Sequence, residues 1–408
     1  MDVRVLLRVL ALSLLLLIPL GVYFIPNVVA GFFGFLWALA PLWLPLLLTA
    51  LFIPLWLTYV RSQYVASVPY VMLELKPGEH TPKTAHPMEI VFYSLYYRES
   101  ISRTEELLAG RVRLPWSFEI AATGGTVRFF VRIPKAHRQA FELRLRSEYK
   151  DVDIDEPRDY AREVAFSPVS MKLAAREFTL LKPDPYPLKT YESYEKEKDQ
   201  SGPFHALLDS LISLPEKQHL YISFIVRPHQ RERKHFWQRE VDSLHTDATH
   251  EIGKIIGDVG DPRQLPKTEQ EIIAAIEDAL KRPSFDCGVR ALYMADRDVY
   301  DEARAEGLDT LFDQFSDPKL NGFSAYNPRE RISWPLSDIF AAIPWLYEAY
   351  VLNLYRRRTH FTPPYYGKVT VLNTAELATL FHLPHITRSS ALSRVHGTRL
   401  EPPDNIPL

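Results

Sequence analysis

His250 and Glu251 open the string "HEIGK". A zinc-hydrolase helix would place a second histidine one turn later, so that two imidazoles hold the metal and the glutamate acts as base. Lys254 stands there instead. The other nearby histidine, His245, would sit about 140° round a helix from His250, so the two cannot share a face. Asp151, Asp153 and Asp155 in "DVDIDEP" have the spacing of a calcium loop, but its sixth and twelfth positions, glycine and glutamate in an EF-hand, are Glu156 and Arg162. Alternation with Val152 and Ile154 makes these acids the wet face of a strand. The chain contains no G-x-x-x-x-G-K-[ST] phosphate loop and no G-x-S-x-G nucleophile elbow. Cys287 is the only cysteine, so no intramolecular disulfide can form and a reducing compartment is permitted. It lies in strand-like "PSFDCGVRALY" and reads as a small buried residue. No nucleophile with a base, metal set or nucleotide loop emerges, so the chain reads as a non-enzyme with no cofactor and no metal.

The densest basic stretch is "RPHQRERKHFWQRE" (227–240). Its Lys and Arg residues suit a nucleic-acid backbone, and Phe236 and Trp237 could stack on bases. Glu232 and Glu240, mixed among them, favour a solvated helix with internal ion pairs. The net charge of -2 adds no whole-chain basic footprint, so nucleic-acid contact stays open and unsupported.

The chain that carries these residues divides sharply. Residues 5–60 carry one charge, Arg8. "VLLRVLALSLLLLIPLGVYF" (5–24) is long enough for a hydrocarbon core of roughly 30 Å. After "IPNVVAG", a second run from Phe32 to Tyr59 has no charge and exceeds that length, with Pro41, Pro45 and Pro54 as bend points. Trp37, Trp43 and Trp56 suit interfacial anchoring. Arg4 before the first span, Arg8 near its start and Arg61 after the second predict a two-helix hairpin (1–62), with both termini and the soluble part in the cytoplasm. The competing reading is a signal peptide cut at Ala30. The expected location is the inner, cytoplasmic membrane.

Beyond the hairpin, "HPMEIVFYSLYY" (86–97) predicts an amphipathic helix. "PWSFEIAATGGTVRFFVRIP" (115–134) predicts a hairpin turning at Gly124-Gly125. A helix over 135–151 and the strand "VDIDEP" follow. The order resembles a ferredoxin-like unit. The proline-rich, charged segment 182–203 reads as a linker, after which helix and strand patterns recur. The expected fold is therefore α+β: the transmembrane hairpin, a first domain (63–181), the linker, a second domain (204–334), and C-terminal helices with a lead-in segment (335–408). The two domains are expected to be ferredoxin-like halves, each an antiparallel sheet with helices. The helix at 335–358 contains Pro344; core packing and a membrane-surface helix ending in "RRR" are its two readings.

In "VTVLNTAELATLFHLPH" (369–385) a strand ends at Leu372. Asn373 then caps a short helix with Glu376 in a capping-box position, and Pro384 stops it. Leu377, Leu380 and Phe381 give that helix one apolar face. Either the face packs on the chain's own second half, or, with Pro384 and the tail, it meets a partner.

The double apolar span, "VPYVMLELKPGE", "WSFEIAATGGTVRFFVRIPKAHRQAFELRLRSEYKDVDIDEPRDY" and "NTAELATLFHLP" together resemble the membrane-anchored N-terminal region of bacterial type IV secretion and conjugation ATPases of the HerA–FtsK class. The likeness is strongest to a domain of unknown function from candidate-phyla bacteria and covers essentially the whole chain. In longer relatives a P-loop ATPase domain follows an "FHLP"-type segment and a proline-rich tail, here Pro402, Pro403, Asn405, Ile406 and Pro407. The nucleotide-binding residues have no counterparts in this sequence. The resemblance implies an anchoring or adaptor component, a motor ATPase supplied in trans, and homo-oligomerisation in a complex. A membrane-tethered scaffold unrelated to translocation is the alternative.

Overall fold

A computed structural model describes residues 26–78, 80–97, 101–196, 202–230, 243–257, 262–332 and 336–385. The first apolar run, Val5–Phe24, the centre of the basic stretch (231–242) and the proline-rich tail lie outside them. Helix α1 (Pro26–Ala38) already occupies the segment read as the inter-span connection. The helix is interrupted at Leu39, near Pro41, and α2 (Ala40–Ser67) follows with Pro45 and Pro54 inside it. Among the described residues α2 alone is long and apolar enough to cross a membrane, with a mean hydropathy of 1.9 in its best window. The two-helix hairpin is thus reduced here to one such helix.

The remainder is α+β, built on an antiparallel sheet. Its elements run β1 (Tyr70–Lys76), α3 (His86–Leu95), α4 (Arg103–Leu108), β2 (Trp116–Thr123), β3 (Thr126–Pro134), α5 (Arg138–Glu148), β4 (Asp153–Asp155) and α6 (Tyr160–Glu163). They continue with β5 (Met171–Leu180), α7 (Tyr191–Lys196), α8 (Pro203–Ile212), β6 (Gln218–Pro228), α9 (Ser243–Ile256), α10 (Lys267–Leu280), β7 (Ser284–Asp296), α11 (Glu302–Gly307) and β8 (Phe323–Tyr326). Last come α12 (Leu336–Ala342), α13 (Pro344–Arg357), the small hairpin β9 (Phe361–Thr362) and β10 (Tyr365–Tyr366), β11 (Thr370–Asn373) and α14 (Thr374–Leu380).

Nine strands form one sheet in the order β4-β1-β3-β2-β6-β7-β5-β8, with β11 extending along β7. The β2–β3 hairpin closes on Thr123 opposite Thr126. Gly124 and Gly125 both have positive φ, as a two-residue turn of matching twist requires. A Cβ on Gly125 would stand 2.6 Å from the Ile212 carbonyl. The join between the N-terminal and later strands is β2 against β6, where Phe118 faces Phe224 and Ile120 faces Ile222. β5, inside the segment expected as the first domain, lies instead between β7 and β8.

One sheet face carries the larger core. Phe118, Phe129 and Phe224 from the strands meet Phe381 from the end of α14, with ring centroids 5.3, 6.0 and 6.4 Å from it. The other face is covered by α6 and α13, whose Tyr160, Val351, Leu352 and Tyr355 lie over Phe130, Tyr221 and Leu292. Since both faces are covered, β6 and β7 are buried almost end to end, which explains their near-continuous apolar sequences. The helix expected over 335–358 is two helices. Ile343 is non-helical, and Pro344 begins α13, where its missing N–H costs nothing.

Candidate functional site

Two buried carboxylates invite a chemical reading, because ionisable groups are expensive to bury unless they serve a purpose. Glu119 on β2 accepts from Arg358 Nε and a terminal guanidinium nitrogen at 2.9 and 3.0 Å, from Tyr160 Oη at 2.7 Å, and from Ser117. Arg358 also pairs with Asp159. Glu177 on β5 accepts from Arg290 Nε at 2.9 Å, Tyr326 Oη at 2.5 Å and Tyr365 Oη at 2.7 Å. Burial alone would raise both acids, but the adjacent guanidinium and its hydrogen bonds outweigh it and hold each below its usual range. A permanently ionised acid with its lone pairs occupied cannot shuttle protons near neutral pH. These pairs tie the covering segment 355–365 to the sheet.

Glu376 behaves in the opposite way: burial pushes it up to about 7, although Asn373 N and Leu188 N donate to it at 2.7 and 2.6 Å. Burial likewise raises Asp184, to about 6. Cys287 is fully buried and burial raises its thiol strongly. Among the described residues, no group of three metal-ligating side chains converges. Lys254, at the missing zincin histidine, pairs with Glu251 at 2.7 Å.

The residues for which the sequence leaves core packing and partner contact both open are interior. Leu377, Leu380, Phe381 and Pro384 are all buried, and Phe381 sits among phenylalanines of β2, β3 and β6. The chain's own core uses this face. Asn373 caps α14 as expected, accepting from Ala375 N and Glu376 N at 3.0 Å each, while Glu376 returns the bond. The segment read as a linker is docked beside it, since Tyr191 N donates to Thr379 Oγ1 and Leu188 and Tyr191 are buried.

The distinctive surface is where the apolar helix enters the α+β body. Only Val68 and Pro69 separate α2 from β1. Alongside the last turns of α2 runs α4, started by a capping box in which Ser102 and Glu105 exchange hydrogen bonds. Those bonds from Ser102, joined by one from Arg111, lower Glu105 to about 2. Three contacts clamp α4 and its exit loop to α2. Trp56 Nε1 donates to the Leu107 carbonyl at 2.8 Å, Arg61 pairs with Glu106 at 2.6 Å, and Arg111 bonds Tyr64. Between them Gly110, at φ +64°, approaches so closely that a Cβ would lie 2.3 Å from Val60 backbone atoms. Trp56, Val60 and Tyr64 recur every four residues, one stripe of a helix. α4 ends in Leu107 and Leu108, 41% and 70% exposed. Sequence reasoning passed over this region, though Ser102-x-x-Glu105 is a legible capping box.

A family model described as a domain of unknown function (DUF8128) matches residues 103–388, from α4 to just past α14. No curated protein matches the chain.

Proposed function

For this chain, which belongs to the DUF8128 family, we propose the role of a membrane-anchored, non-catalytic component of a type IV secretion- or conjugation-like translocation machine. Its α+β body would serve as a mount for a P-loop motor ATPase at the cytoplasmic face. The observation that carries the reading is α2. Its surface is apolar and almost wholly unburied, yet it is joined to the sheet by two residues and clamped by α4. A soluble protein would not leave so long an apolar helix uncovered, and a loose tether would not need the clamp. The translocation role rests on the family resemblance of the apolar span, the 116–160 region and the "FHLP" segment.

The body is read as two ferredoxin-like halves. In each of 70–155 and 171–326 the four strands lie in the order fourth, first, third, second, all antiparallel, with helices in the crossovers. The halves meet through their second strands, and α9 and α10 are an insertion in the second hairpin. Glu119 and Glu177 are tied to arginines and Glu376 to backbone amides, which favours a binding and assembly role over catalysis.

The test is extraction and capture. Full-length chain produced in a bacterium should stay in the membrane pellet through alkaline carbonate. After cross-linking in its native host it should capture a P-loop ATPase. Release by carbonate, or a reproducible partner set with no P-loop protein, would overturn the proposal.

A further inference from the structure

We infer that α4 is an interfacial membrane element, with Leu107 and Leu108 embedded at the boundary between lipid headgroups and acyl chains. This rests on α2 crossing the bilayer. The 28 residues of α2 make a helix about 42 Å long, against a hydrocarbon core of roughly 30 Å. With α2 upright, about two turns therefore stand in the headgroup region. They lie at the C-terminal end, where Arg61 is the first charge of the helix. Trp56 lies five residues before Arg61, about 7.5 Å deeper along the axis. The Leu107 carbonyl is bonded to Trp56 and Glu106 to Arg61, so α4 spans the same depth as these two residues.

The chemistry of α4 suits that position. Both of its acids are already paired, Glu105 with Ser102 and Arg111, and Glu106 with Arg61. Beside them α4 ends in two adjacent exposed leucines, Leu107 and Leu108, and Tyr59 on α2 is exposed as well. The occupant is then the lipid surface that already surrounds α2. Short amphipathic helices with their acids turned away and apolar residues buried 5–10 Å lie in this zone. A helix crossing the bilayer while α4 rests on it would hold the sheet at a set angle to the membrane.

Single-site spin labelling of the full chain in phosphatidylcholine–phosphatidylglycerol vesicles tests this, because the native Cys287 is buried. Labels at L108C and L107C should show a several-fold higher ratio of oxygen to nickel-chelate accessibility than a label at L143C. Leu143, on α5, is 74% exposed and distant from the clamp in sequence. L51C, on α2, should read deeper still. If L51C reads lipid while both α4 sites match L143C, α2 crosses and the interfacial role of α4 is wrong. If L51C reads water too, the spanning reading itself falls and this inference with it.

Discussion

The indole of Trp56 donates a 2.8 Å hydrogen bond to the carbonyl of Leu107, 51 residues further along the chain. This bond joins a helix made of apolar residues to the first helix of the matched family region. The residues around it yield the first prediction.

Gly110→Ala would put a methyl 2.3 Å from the Val60 carbonyl group in a backbone conformation of φ +64°. Strain of this kind costs about 1–3 kcal/mol. Hydrogen exchange on the full chain in micelles should show amides of 103–113 losing protection, while those of β2 and β6 keep theirs. Unchanged protection in α4 would mean that the close approach does not hold the clamp.

Arg358→Met removes the cation from a fully buried carboxylate at Glu119. Breaking a buried pair by one partner costs about 3–5 kcal/mol, and chemical unfolding should register a loss of that size. Glu119→Gln in the same background should recover part of it, because the stranded charge disappears. A double substitution as unstable as the sum of the singles would count against direct coupling.

Acid should weaken the fold through the same carboxylates. Glu119 and Glu177 are held below their ordinary value of 4.5, so the unfolded chain binds more protons than the native one once the pH falls below that value. Their contribution is complete above pH 4.5 and is lost as pH drops through the lowered native values. Unfolding midpoints measured below pH 4.5 should decline, and Glu177→Gln should lessen the decline.

Glu376 reverses the sign. With a native value of about 7 against 4.5 in the unfolded chain, the native state binds more protons between those limits. Stability therefore falls as pH rises from 4.5 to 7 and levels off above, by on the order of 3 kcal/mol. Glu376→Gln should flatten that slope in unfolding titrations, at the cost of one backbone hydrogen bond from Leu188 or Asn373.

Phe381→Ala should destabilise by about 3–5 kcal/mol, since the ring fills the space between β2, β3 and β6. Thermal unfolding would measure it. A surface-like loss below about 0.5 kcal/mol would mean that this position is not the core residue described.

Local signals were legible in the residues themselves. Gly124-Gly125 between alternating apolar runs specified a hairpin, because only a left-handed pair makes that turn. Asn373 with Glu376 specified a helix start, since the two side chains satisfy donors that the first turn leaves open. The length and apolarity of 32–59 marked a run suited to a membrane span, although the long helix there is shifted to Ala40–Ser67. Each depends on neighbours a few residues apart, so chain order suffices to read it. The structure decided what depends on distant residues. Glu119 and Arg358 are 239 positions apart, and neither sequence context shows the other. The apolar face of 377–381 could equally have been surface or core until Phe118, Phe129 and Phe224 were seen closing over it. The placement of β5 beside β7, and of α4 beside α2, is likewise set by pairing across long loops. Hydrophobic pattern states that a face must be buried, and only tertiary contact states against what.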